Sequence, residues 1–276
     1  MCSATKGIVI ALLCLACVTY AAAAQLRICA DPNNLPYSNK QGQGFENRIA
    51  DLIAKDLDTQ LSYYWYPQRG AFFSRTLESG VCDVVMGVPV AMQDLAVTQP
   101  YYRSMYVFIS RRDEHLSVTS LSDPRLRTLR IGVHIFGDQD DSSPPIDALI
   151  RRGMVHNLVG FSIFGNLDET NPPADLIKAV EDRKVDIAIA WGPLAGYFSK
   201  HSAVPLNITP VADDAMNPEL PFHFDIGIGV RKKDTALERR LNSELVHLRP
   251  QIQQILRNYG IPQLTLPSEA ARVTKE

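Results

Sequence analysis

The sequence predicts an α/β protein of two β-α lobes joined by crossing segments, with a cleft between them. Three observations predict it. Short apolar runs alternate with stretches of helical spacing from Leu26 to Val88. A second series of the same kind runs from Leu129 to Pro193. Once an N-terminal leader is set aside, about 250 residues remain, a length that favours division into two lobes.

The leader is residues 1–24. Lys6 is a short positive region, Gly7 to Tyr20 is uncharged and apolar, and Ala22, Ala23 and Ala24 are small residues before a cleavage point at Gln25. The apolar run falls short of the ~20 residues a membrane span needs. Export to the periplasm by a cleavable signal is therefore expected, with no membrane attachment afterwards. Cys17 has Cys14 three residues before it, where a lipoprotein signal carries a larger aliphatic residue, which argues against lipidation.

Of the five cysteines, Cys2, Cys14 and Cys17 leave with the leader. Cys29 and Cys82 remain, and in an oxidising compartment they are a disulfide candidate. Two separate buried thiols are the alternative. A formal net charge of −2 lacks the basic excess that nucleic acid demands, so nucleic acid is excluded as a partner.

The first lobe opens with a strand at Leu26–Ala30, ended by the turn cluster Asp31-Pro32-Asn33-Asn34. Phe45, Ile49, Leu52, Ile53 and Leu57 recur at helical spacing over 44–57. Leu61–Tyr66 reads as a strand, Ala71–Glu78 as a helix closed by Gly80, and Val84–Val88 as a buried strand ended by Pro89. Three β-α units in succession predict a parallel sheet with helices on both faces.

Tyr106–Ser110 is a strand leading into the charged stretch Arg111-Arg112-Asp113-Glu114, the expected crossing between lobes. The second lobe carries strands at 129–133, 159–163 and 185–190. Its helices lie at 144–152, with Ser143 as cap, and at 174–182, and Pro193 opens another. Phe224–Val230 returns as a strand, and Leu237, Leu241, Leu245 and Leu248 form a helix that Pro250 breaks or restarts. The expected division is a discontinuous first lobe, 25–112 plus 215–276, and a second lobe, 113–214. Ligands in such sheets sit at the carboxyl ends of the strands, which here face a common cleft.

This order resembles the type II periplasmic solute-binding proteins. Five blocks sharpen the resemblance: Cys29-Ala-Asp-Pro-Asn-Asn-Leu-Pro-Tyr-Ser38, Gly44-Phe-Glu-Asn47, Cys82-Asp-Val-Val-Met-Gly-Val-Pro89, Pro100-Tyr-Tyr-Arg-Ser104 and Asp186-Ile-Ala-Ile-Ala-Trp-Gly-Pro-Leu-Ala-Gly-Tyr-Phe198. They are similar to the quinoprotein-dehydrogenase-associated branch, the methanol-oxidation J proteins of MxaJ and XoxJ type. The resemblance implies a periplasmic accessory of a pyrroloquinoline-quinone (PQQ)-dependent methanol or alcohol dehydrogenase. That enzyme would be its partner, with the enzyme's cytochrome c as a further one.

The residues depart from the amino-acid-binding members of the fold in three places. Those proteins clamp the ligand carboxylate with an Arg after the third strand, where a guanidinium donates two parallel hydrogen bonds. Here Val90–Leu95 has no Arg, and Asp94 stands near its place. They hold the amine with an acid after the buried strand of the second lobe, where this chain has Trp191-Gly192-Pro193. They offer a helix N-terminus to an anion, but here Asp138, Asp140 and Asp141 would repel one.

Candidate cleft residues follow from position. Asp31, Asn33, Asn34 and Tyr37 come after the first strand, with a hydrogen-bonded turn as the alternative role. Tyr66, Gln68 and Arg69 come after the second; Arg69 could face a negative group or be a solvated rim charge. Tyr101, Tyr102 and Arg103 sit near the crossing and suit binding or hinge packing. Trp191 and Tyr197 stand at the mouth of the second lobe, fit for a protein contact or for the core. Asp138, Asp140 and Asp141 could also ligate a hard cation such as calcium, though solvated acids are the plainer reading.

No enzyme is expected. Nucleophile-elbow and phosphate-loop motifs are absent, and no cofactor is implied. Some dehydratases and transglycosylases share the fold and use a placed carboxylate, for which Asp31 or Asp94 would have to serve. The alternative to a dehydrogenase accessory is the substrate-binding protein of an ABC transporter, for a small-molecule solute other than a typical amino acid.

Overall fold

In the computed structural model, which describes residues 25–135, 143–163 and 171–266, the chain opens with strand β1 (Gln25–Ala30). Its apolar residues Leu26, Ile28 and Ala30 enter one core, and Cys29 faces another. The turn cluster closes into a small hairpin, β2 (Asn33–Asn34) against β3 (Ser38–Asn39). Helix α1 (Phe45–Asp56) buries Phe45, Ile49 and Ile53, the face its spacing predicts. Gly44 has no side chain to cap it, so Asn47 reaches back, its Oδ1 accepting from the N–H groups of Gly44 and Asn39 at 3.1 Å each.

Strand β4 (Gln60–Trp65) pairs parallel with β1 from Gln25–Gln60 to Ala30–Trp65. Helix α2 (Phe72–Arg75) is a single turn, shorter than the predicted 71–78. Its Thr76 Oγ1 donates back to the carbonyl of Phe72 at 2.6 Å, an alternative to continuing the helix. Strand β5 (Val84–Pro89) lies parallel on the other side of β1. Cys29 and Cys82 are joined as a disulfide with Cα atoms 5.4 Å apart.

The sheet is then mixed rather than all parallel. After β6 (Ala96–Val97), strand β7 (Tyr102–Arg111) is long enough to serve two sheets. The chain continues through β8 (Ile131–Ile135), α3 (Pro144–Arg151), β9 (Leu158–Ser162), α4 (Ala174–Glu181), β10 (Ile187–Trp191), α5 (Gly192–Lys200) and β11 (Leu206–Pro210). It returns along β12 (His223–Val230) and ends in α6 (Thr235–His247) and α7 (Arg249–Asn258), the restart at Pro250. Along the sheet the order is β4-β1-β5-β12-β7-β10-β8-β9, with β11 on β7 and β6 on β12. Both β12 and β7 are antiparallel to their neighbours.

Residues Tyr102–Met105 of β7 pair with β12, and Tyr106–Ser110 pair with β10. Strand pairing thus changes sheet between Met105 and Tyr106, upstream of the charged stretch 111–114. The return lies at Phe222, buried in a second-sheet core, and His223, which pairs with Met105. Each sheet is packed on both faces. Phe45, Ile49, Ile228, Leu241 and Leu256 cover one side of the first, with the disulfide, Phe72 and Leu77 on the other. Leu126, Leu149 and Ile187 pack one side of the second sheet, and Val107, Leu176 and Ala188 the other. Each fully buried aliphatic side chain contributes ~1.5–3 kcal/mol. Strand β11, which the sequence does not announce, is half-buried, ends in Pro210 and, among the described residues, pairs with β7 alone.

Candidate functional site

The carboxyl ends of the parallel strands and the first residues of antiparallel β12 converge on a cavity of about 380 Å³. From the first sheet come Met86, Gly87 and Pro89 at the end of β5, Phe224 and Ile226 of β12, and Tyr102 of β7. Asn34, Tyr37, Gln68 and, from the first turn of α1, Glu46 complete that side. Tyr106 and Trp191 of the second sheet face them, with Ile163 just past β9 and Leu194 of α5.

The lining is aromatic. Trp191 is half-buried and meets Tyr106 at 5.3 Å and Phe224 at 5.8 Å between ring centres, both tilted by about 60°. Behind the wall, Phe45 packs edge-on to Tyr102 and tilted to Tyr37, and Tyr101 packs on Tyr102. Such tilted pairs set the positive edge of one ring on the negative face of the next.

Glu46 is the sole carboxylate on the lining among the described residues, and neither Lys nor Arg lines it. Its side chain lies among Tyr37, Tyr101 and Tyr102, and the residue keeps 9% of its surface. The Tyr101 hydroxyl donates to Oε1 at 3.5 Å. Burial pushes the Glu46 carboxyl up to about 8, since a charge there loses its water and gains no cation, and the Tyr101 hydrogen bond offsets only part of that. The Tyr37, Tyr101 and Tyr102 phenols are pushed well up, first by burial and then by neighbouring charges, Glu46 among them. Burial also raises Tyr106, to about 12, against a hydrogen bond with Ser143. Ser143 therefore stands at the N-cap position of α3 without its side chain capping the helix.

Five of the residues singled out in the sequence line this cavity: Asn34, Tyr37, Gln68, Tyr102 and Trp191. Asn34 and Gln68 meet, Nδ2 donating to Oε1 at 3.1 Å. The others stand elsewhere. Asp31 holds the loops, accepting from the N–H of Asn33 at 2.8 Å and of Gln68 at 2.6 Å. Asn33 pairs with Asn39 in the hairpin. Tyr66 packs against the disulfide-side core, and Arg69 is exposed off the lining. Tyr101 is buried behind Glu46. Arg103 is committed to Asp225 through two hydrogen bonds of 2.6 and 2.7 Å that join β7 to β12. Tyr197 stacks on Tyr259 at 5.9 Å, fastening α5 to the end of α7. Asp94 is exposed and off the lining. Asp138, Asp140 and Asp141 lie outside the described residues; among the described residues no group of three or more His, Cys, Asp or Glu is placed to hold a metal ion.

Glu46, Gly87, Tyr106 and Phe224 escaped sequence reasoning. Glu46 carried one legible sign: an acid between Phe45 and Ile49, on the buried edge of an amphipathic helix. Tyr106 and Phe224 are 118 positions apart in the chain, and no local pattern joins them.

The model of the bacterial extracellular solute-binding proteins, family 3, matches residues 26–261. The chain is 34% identical over 248 residues to Protein MoxJ of Methylorubrum extorquens, an alignment covering 88% of this chain and 82% of that protein. Among solved structures it is similar to periplasmic binding protein XoxJ from Methylobacterium extorquens AM1. That similarity has a TM-score of 0.72 at 33% identity, over 87% of this chain and all of the other. It is similar also to MxaJ from Methylophaga aminisulfidivorans, with a TM-score of 0.75 at 30% identity and the same coverage.

Proposed function

Because the chain belongs to the family-3 bacterial extracellular solute-binding proteins, and within them to the MxaJ and XoxJ type, we propose that it is a periplasmic accessory of a PQQ-dependent methanol or alcohol dehydrogenase. In this reading it works by binding the dehydrogenase, in assembly, activation or maturation, rather than by catalysis. The observation that carries the proposal is likeness to MoxJ, XoxJ and MxaJ along nearly the whole chain. The cavity supports it by what it lacks. Among the described residues a free amino acid would meet no Arg for its carboxylate, because Arg103 is already paired with Asp225 and the lining offers no other base.

Residues 1–24 act as the export leader in this reading. No helix among the described residues is long and apolar enough to cross a membrane. The lobes are proposed to divide where strand pairing changes, at Met105–Tyr106 and Phe222–His223, which shifts both boundaries inferred from the sequence.

The test is a binding measurement between the mature protein and a purified PQQ-dependent methanol dehydrogenase, with and without its cytochrome c, by sedimentation velocity. Co-sedimentation is expected. Independent sedimentation at tens of micromolar, together with one solute that sharply raises the melting temperature, would overturn the accessory reading.

One observation favours the second reading, a transport receptor for a small solute. Trp191 is held inside the cavity by Tyr106 and Phe224 instead of standing free at the surface for a protein contact.

A further inference from the structure

The cavity combines three properties that together constrain what it can hold. Its walls are apolar, with the rings of Tyr37, Tyr102, Tyr106, Trp191 and Phe224 beside five aliphatic side chains. Among the described residues one anion-forming group, Glu46, reaches it, and no basic side chain does. Its two amides are spent on each other, Asn34 Nδ2 donating to Gln68 Oε1, and Glu46 accepts from Tyr101 behind the wall, so the polar groups left on the lining are the tyrosine hydroxyls and the Glu46 carboxyl.

Each property excludes something. An anion would meet a carboxyl group and the negative faces of aromatic rings. A zwitterionic amino acid would leave its carboxylate without a donor of opposite charge. A primary ammonium ion would have to find an acceptor for each of three N–H groups on a wall made mostly of rings and aliphatic side chains, at ~1–3 kcal/mol for each one unmet. An ammonium ion whose hydrogens are replaced by alkyl groups has no such debt. Its diffuse charge is attracted to ring faces, most strongly those of Trp and Tyr, and its methyl groups are apolar enough to pack there.

We infer that this cavity binds a small alkylated ammonium ion, held by the rings of Trp191, Tyr106, Phe224 and Tyr37 with Glu46 as its counter-charge. A volume of about 380 Å³ suits a molecule of this kind and lies at the small end of ligand sites. Gly87 makes the arrangement possible: a Cβ at that position would collide with the Glu46 carboxyl. The inference rests on the second reading above, in which the cavity is a solute site, and is independent of dehydrogenase docking.

Binding has a consequence besides affinity. The groups facing Glu46 are Tyr37, Tyr63, Tyr101 and Tyr102, all raised and all neutral near neutral pH. Since burial holds the Glu46 carboxyl protonated at pH 7, arrival of a cation expels that proton to the solvent.

Isothermal titration calorimetry of the mature protein at pH 7, in two buffers of different ionisation enthalpy, tests this. The probes are choline and its uncharged isostere 3,3-dimethylbutan-1-ol. Choline is expected to bind at least about tenfold more tightly than the isostere and to release close to one proton. Glu46→Gln is expected to abolish the proton release and most of the preference, while isostere binding stays within about threefold. Equal binding of the two probes to the wild-type protein would overturn the inference yet leave a solute site standing. Binding of neither would also overturn the inference. The comparison on wild-type protein needs no variant, so a misfolded Glu46→Gln would not rescue or obscure the result. Neither outcome bears on sedimentation with the dehydrogenase.

Discussion

Gly87 and Glu46 interlock: at φ +72° and without a Cβ, Gly87 leaves open the space into which the Glu46 carboxyl projects. Gly87 lies within β5, two residues before its end, and Glu46 lies in the first turn of α1, and each accounts for the other. Glycine tolerates that backbone comfortably, and its missing side chain leaves the Glu46 carboxyl in the place it occupies, from which a Cβ would displace it.

Gly87→Ala should therefore disturb the site more than a surface change of equal size. The left-handed backbone alone costs on the order of 1–2 kcal/mol with a Cβ present, and the carboxyl must also move. A lowered urea midpoint with an unchanged m-value is expected. A variant as stable as the wild-type protein would show that Glu46 is not held as described.

Glu46 should make the protein less stable as pH rises. Its folded-state value is about 8 against 4.5 in the unfolded chain, so between those values the native state holds a proton that the unfolded state has lost. The stabilisation is complete below about 4.5 and drains away as pH climbs to about 8, with a slope of up to ~1.4 kcal/mol per pH unit. Urea unfolding of Glu46→Gln across that window should show a flatter pH dependence than the wild-type protein. Parallel curves would place the carboxyl in a wetter setting.

Arg152 and Asp214 form a two-pronged pair, with Nη1 2.8 Å from Oδ2 and Nη2 2.5 Å from Oδ1, and the Asp214 side chain is only 3% exposed. The guanidinium holds the Asp214 carboxyl far below the usual carboxylate range. Asp214→Ala strands a poorly solvated Arg152 against α3 and should cost on the order of 3 kcal/mol. The depressed folded value means that this stabilisation is present above about pH 4 and is lost as pH falls below it. Acid titration of the wild-type and variant proteins should converge there; a constant gap down to pH 2 would contradict it.

The Cys29–Cys82 bond ties β1 to the turn before β5 across 53 positions. Replacing both cysteines by serine should lower stability by ~2–4 kcal/mol, mostly through a freer unfolded chain. A thiol assay on the denatured, unreduced mature protein should find no free thiol. Two free thiols per chain would refute the pairing.

Much of the framework was legible because helical and strand periodicity are local. Phe45, Ile49 and Ile53 announce α1, and the run Val84–Val88 announces β5, whatever the rest of the chain does. The antiparallel placement of β7 and β12 was not legible, because a buried strand has the same apolar composition whichever way its neighbour runs. Nor was β11, whose half-buried edge position leaves too weak an alternation.

By itself, the sequence determined the order of the main helices and strands, the two cysteines available to pair and the family blocks, all of which depend on residues close in the chain or on residue type alone. Tertiary structure alone decided the site. Whether Arg103 grips a ligand or Asp225, and whether Glu46 sits in water or behind Gly87, depends on which strands become neighbours. That is settled by burial of apolar surface across the whole molecule, and the polar chemistry of each side chain follows from where packing leaves it.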